Sequence, residues 1–156
     1  MRTKDIIIDI LKNSLISIGI FHAVNMITIL TSTMVILICE HTSAITAAII
    51  ITIYTLIVIA FYIICGMFFI GKNSPNRVYN IISCVAVLVI QMIPALIFKS
   101  NYSEFLYPFI PIYILTENHF PKELNTEVCL IALPWIAITL GAIMLKNHKE
   151  KNYERI

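Results

Sequence analysis

The stretch from Asn13 to Gly71, NSLISIGIFHAVNMITILTSTMVILICEHTSAITAAIIITIYTLIVIAFYIICGMFFIG, runs 59 residues with one formal charge, Glu40. The hydrocarbon core of a bilayer is about 30 Å thick and takes about 20 helical residues to cross. The stretch is therefore long enough for two crossings, with Glu40 and His41 at the turn between them. It reads as a helical hairpin with spans at 14–39 and 43–71.

Upstream, Ile6, Ile7, Ile8, Ile10 and Leu11 alternate with Arg2, Lys4, Asp5, Asp9 and Lys12. Such a short amphipathic segment is expected to lie at the membrane interface and lead into the first span. The apolar region that follows, Ser14 to Cys39, exceeds the roughly 7 to 15 residues of a cleavable signal sequence, so it is read as a retained span. Downstream, the polar turn Lys72, Asn73, Ser74, Pro75, Asn76 and Arg77 stops span 2. A third span is expected at 78–98, with Gln91 and Pro94 inside it; neighbouring helices can satisfy the carbonyl that the proline frees. A fourth, at 128–145, carries Pro134 and Gly141 and ends at Lys146.

Between spans 3 and 4 lies the one long connection, 99–127. Its apolar centre, Phe105 to Leu115, is too short to cross and is broken by Pro108 and Pro111. Tyr102, Phe105, Tyr107, Phe109, Tyr113 and Phe120 are of the kind found at headgroup level. The connection is expected to be an interfacial or re-entrant lid. The fold class is thus an all-α membrane protein, four transmembrane helices in one bundle making a single polytopic domain over 1–156.

Basic residues near spans are retained on the cytoplasmic side. With the N-terminus inside, that side holds Arg2, Lys4, Lys12, Lys72, Arg77, Lys146, Lys149, Lys151 and Arg155, against Lys99 and Lys122 outside. The asymmetry predicts both termini in the cytoplasm and the protein in the cytoplasmic membrane. Composition agrees: 59% of residues are hydrophobic and 13% charged, against about 25% charged in ordinary soluble domains. The net charge of +2 gives nucleic acid no basic footprint. The expected partners are the lipid bilayer and another membrane protein or a second copy of the chain.

Cys39, Cys65, Cys84 and Cys129 are widely spaced in or beside apolar runs, which speaks against a thiol-redox or zinc motif. Cys39 and Cys129 would lie near one membrane face, leaving a disulfide between them open. On span 1, Ser14, Ser17, Asn25, Thr28, Thr31 and Ser32 share a side at 100° per residue, with His22 at its edge. Ala48, Thr52, Thr55, Tyr62 and Gly66 align similarly on span 2, as do Asn80, Cys84 and Gln91 on span 3. Counting from the span midpoints predicts a polar cluster of His22, Asn25, Thr55 and Gln91. Its plainest role is hydrogen bonding between helices; a path for a polar solute, with His22 as its one ionisable group, is the alternative.

On the outer side, Glu40 and His41 are expected near Glu117 and His119. Imidazoles and carboxylates are donors that zinc accepts, but the spacing matches no metal motif, so no metal and no cofactor are expected. No aspartate follows Asp9, which excludes an intramembrane aspartyl dyad, and no H-E-x-x-H, G-x-S-x-G or P-loop pattern occurs. The sequence leads to a non-enzymatic membrane protein acting through protein contacts, as an accessory subunit or an immunity or resistance factor. A small oligomeric transporter or channel, with its path near His22, Asn25 and Gln91, is the second reading.

Overall fold

The computed structural model describes residues 3–72, 76–97 and 124–144, and among them the side chains of 4–72, 76–90 and 132–144. Apart from the turn and cap residues 41–43, 72 and 76, these residues are helical: α1 (Thr3–Glu40), α2 (Ala44–Cys65), which continues as a π-helical segment (Gly66–Gly71), α3 (Arg77–Ile97) and α4 (Leu124–Met144). Helix α1 packs on α2 and α3, and α4 packs on α2, the π segment and α3. Two helical stretches, Lys4–Glu40 and Ala44–Gly71, are long and apolar enough to cross a membrane. At about 1.5 Å per residue, even the second reaches some 42 Å.

The amphipathic first residues are not set off from the span; α1 is one unbroken helix from Thr3. It ends at Glu40 in a tight turn, where His41 N donates to the Ile38 carbonyl and Thr42 N to that of Cys39, each at 3.2 Å. Ser43 then starts α2. Its backbone is extended (φ −65°, ψ 152°) and its hydroxyl accepts from Thr46 N at 3.3 Å, satisfying one of the donors that a helix start leaves unpaired. Asn76 opens α3 in a related way, accepting from Val78 N at 3.0 Å.

The π segment is a feature that the apolar pattern gave no sign of. Lys72 N bonds to the Met67 carbonyl at 3.0 Å, the five-residue reach of a π turn. In an α-helix of 3.6 residues per turn, residues five apart point roughly 140° from each other; the wider π turn brings Gly66 and Gly71 back toward one face. That face meets α4. A Cβ on Gly66 would collide with the Ile138 carbonyl oxygen, and one on Gly71 would sit 2.9 Å from that of Ala142. From the other side, a Cβ on Gly141 would collide with the Ile63 carbonyl oxygen and lie 2.9 Å from Met67 N. The two backbones are in contact because three glycines let them be.

Helix α3 remains helical past Pro94 to Ile97, and α4 begins at Leu124, four residues before the expected start of span 4. Buried Pro134 sits inside it. Most of the connection read as a lid lies outside the described residues. Cys39, Cys65 and Cys84 carry free thiols, and the Cys39 thiol faces the Ala47 carbonyl at 3.9 Å; the Cys129 side chain lies outside the described set.

Candidate functional site

The inward face of α1 is polar along much of its length, and it divides into two groups. In the first, near the start of α1, Asn13 donates to Asn80 Oδ1 at 2.9 Å, and Asn80 Nδ2 donates to the Ala142 carbonyl at 3.2 Å, so one amide pair ties α1, α3 and α4 together. The Ser83 hydroxyl lies 3.1 Å from the Ile10 carbonyl and 2.6 Å from that of Tyr79. Ser14 Oγ is 3.4 Å from the Ser83 carbonyl, and Ser17 Oγ is 3.5 Å from Cys84 Sγ. Asn13, Ser17, Asn80, Ser83 and Cys84 are all buried.

In the second group, Tyr62 of α2 donates its hydroxyl to Asn25 Oδ1 at 2.9 Å. One and two turns further along α1, Tyr54 OH reaches the Thr28 carbonyl and Thr31 Oγ1, both at 3.3 Å. Thr28 donates to the Asn25 carbonyl at 3.0 Å and Ser32 to that of Ile29 at 2.9 Å. The serine and threonine hydroxyls thus largely return to their own helix, while the tyrosines make the links between helices.

Between the groups stands an aromatic layer. The Phe21 ring stacks on Trp135 of α4 at 4.9 Å between centroids, with 20° between planes, and lies parallel to Tyr62 at 6.5 Å and 21°. All three side chains are buried. Eight residues of helix, about 12 Å, separate Ser17 from Asn25, and this stack fills the interior there. A polar solute would have to displace it to pass from one group to the other within a single copy of the chain.

Of the expected midplane cluster, Asn25 is buried and bonded to Tyr62. Thr55 is buried, but its hydroxyl turns back to the Ile51 carbonyl at 2.8 Å. His22 is exposed, edge-on to Phe21 at 5.5 Å and 76°; it follows Phe21 by one residue, about 100° around the helix from the buried face. The Gln91 side chain lies outside the described residues. Thr31 and Thr52, assigned by periodicity to inward faces, are exposed. Of the expected outer group, Glu40 and His41 are exposed at the α1–α2 turn, while Glu117 and His119 lie outside the described residues. Among the described residues, no three of the metal-binding side chain types come together.

Asn13, Tyr54 and Ser83 are interior polar residues that the sequence reading passed over. Asn13 lies one residue before the expected span at 14–39, yet it precedes Ser17 by one turn and shares its face. Ser83 is adjacent to Cys84 and one turn beyond Asn80, so the same periodicity contained the signal. In comparisons with known proteins, the chain matches no family model, no curated protein and no solved structure.

Proposed function

We propose that this is a small non-enzymatic protein of the cytoplasmic membrane, crossing it four times with both termini inside, that acts through contacts with another membrane protein as an accessory, immunity or resistance factor. The observation that carries the reading is the reversal of the usual distribution of polarity. Asn13, Ser17, Asn25, Thr28, Ser32, Thr55, Asn80 and Ser83 are buried, whereas Met26, Leu30, Ile45, Leu56, Ile90 and many other large apolar side chains are exposed. In water this arrangement would leave far more apolar patch than a soluble monomer carries. In a bilayer it is favourable, because helices there associate through polar groups and close packing of small residues. The three interfacial glycines fit the same solvent.

The transport reading is weaker for this chain. Its interior polar groups serve as links between helices or bond within their own helix, and the Phe21 stack separates them. His22 stands on the outer surface instead. The apolar exterior is the surface left for recognition.

A photoreactive amino acid at Leu30, 73% exposed, tests this in the native membrane. After irradiation and purification in mild detergent, the expected result is one discrete adduct to a single membrane protein, identified by mass spectrometry. Adducts to lipid alone would contradict the protein-contact reading.

A further inference from the structure

His22 is an ionisable side chain on the outer surface of α1. It is exposed, its ring stands edge-on to Phe21 at 5.5 Å, and no hydrogen bond joins it to another described residue. Lys12, the nearest charged residue before it, is ten residues away, about 15 Å along the helix; Glu40, the nearest after it, is 18 residues away, about 27 Å. In a hydrocarbon core about 30 Å thick, the imidazole therefore stands among lipid tails. Ionisable side chains at such depth almost always face protein or a water-filled cavity.

His22 also belongs to a regular seam. Leu15, Gly19, His22, Met26, Ile29 and Thr33 follow one another in steps of four and three residues, the spacing at which two helices pack along their length. Leu15 and Met26 are 64% and 71% exposed, Gly19 and Thr33 are exposed, and Ile29 is half-buried. Thr33 donates to the Ile29 carbonyl at 2.9 Å, so His22 is the seam residue that lacks a partner. A Cβ on Gly19 would meet nothing within 4 Å. No contact inside the chain calls for glycine there, although glycine within a helix costs about 1 kcal/mol relative to alanine. Close approach of another helix does call for it.

We infer that this seam joins two copies of the chain, α1 against α1, with the His22 rings hydrogen-bonded to each other. Two arguments select a second copy over a foreign helix. A neutral imidazole carries one N–H donor and one acceptor nitrogen, so it is complementary to itself. Copies inserted in the same direction and related by a two-fold axis along the membrane normal run their first helices parallel and at equal depth, so His22 meets His22, the self-complementary geometry of most dimers. A single polar pair in an apolar seam then fixes the register. The inference rests on α1 crossing the membrane, not on which other protein the exterior recognises.

The full chain reconstituted in phosphatidylcholine vesicles tests it. In a background without the native cysteines, Leu15→Cys and Met26→Cys are expected to oxidise to a disulfide-linked dimer. Ile27→Cys and Met34→Cys, also exposed but about 120–140° around the helix from His22, should stay monomeric. Energy transfer between labelled copies, followed as lipid is added, gives the association constant. His22→Leu should lower it about threefold to tenfold, the loss of one interhelical hydrogen bond, whereas His22→Asn, which keeps a donor and an acceptor, should hold it within about twofold. Gly19→Leu should abolish the Met26→Cys cross-link. Monomer at every lipid ratio, cross-linking as strong at Ile27 and Met34 as at Leu15 and Met26, or an association constant unmoved by His22→Leu overturns the inference. If that monomer stays in the vesicles through an alkaline wash, the dimer alone is refuted; its release would overturn the crossing of α1 and the dimer together.

Discussion

Gly141→Leu is expected to leave no folded protein, and Gly141→Ala to destabilise it by about 3 kcal/mol, the upper part of the usual range for overpacking. The alanine Cβ would be driven into the Ile63 carbonyl oxygen, with the Ile63 carbonyl carbon at 2.8 Å and Met67 N at 2.9 Å. These are backbone atoms of a helix, and no side-chain rotation can move them aside. Relief requires α4 to withdraw, which would also loosen the Gly66 contact with Ile138 and the Gly71 contact with Ala142. Gly19→Ala is the matched control, because a Cβ there meets nothing within 4 Å; it should be neutral or gain up to about 1 kcal/mol from helix propensity. Unfolding in mixed micelles measures both. Equal stability of Gly141→Ala and the parent would mean that α4 does not pack on α2 in this way.

The second large effect is expected at Asn80. Asn80→Leu removes the acceptor for the Asn13 amide and the donor to the Ala142 carbonyl in one step. A single interhelical hydrogen bond in a bilayer contributes about 0.6 kcal/mol on average, but leaving a fully buried amide without a partner costs about 1–3 kcal/mol. We expect a loss of about 2 kcal/mol. Adding Asn13→Leu should then restore part of it, because replacing both partners by apolar groups leaves no orphaned donor. A double-mutant cycle by thermal unfolding reads the coupling directly. A neutral Asn80→Leu would show that Asn13 and Asn80 are not paired.

The hairpin was legible in the sequence because apolar length is a coarse signal that a single charge at Glu40 does not obscure. The polar face of α1 was legible too, as Ser17, Asn25, Thr28 and Ser32 are buried where the period places them. What periodicity does not encode is the partner. Asn25 is grouped with Thr55 and Gln91 by its depth along the span, and that grouping gives no sign that the long Tyr62 side chain reaches it. Thr31 is exposed yet still meets Tyr54 OH at 3.3 Å across the helix pair, whereas Thr52 returns its hydroxyl to the Ala48 carbonyl at 2.8 Å, a bond within its own helix that lets a threonine tolerate an outward position. The π segment was illegible because GMFFIG contains no local mark of it. It becomes intelligible only when α4 is placed against Gly66 and Gly71, a relation between residues about 70 apart in the chain.

The central claim is that Lys4–Glu40 and Ala44–Gly71 cross a membrane in opposite directions, and cysteine accessibility in intact cells tests it most directly. Thr42 and Lys72, both exposed, bracket α2 and its π segment. In a background with Cys39, Cys65, Cys84 and Cys129 replaced by serine or alanine, a membrane-impermeant maleimide should label Thr42→Cys in intact cells. Lys72→Cys should be protected until the membrane is permeabilised, because basic residues beside spans stay inside. Labelling of both positions in intact cells would contradict a crossing between them, and protection of Thr42→Cys with labelling of Lys72→Cys would reverse the orientation.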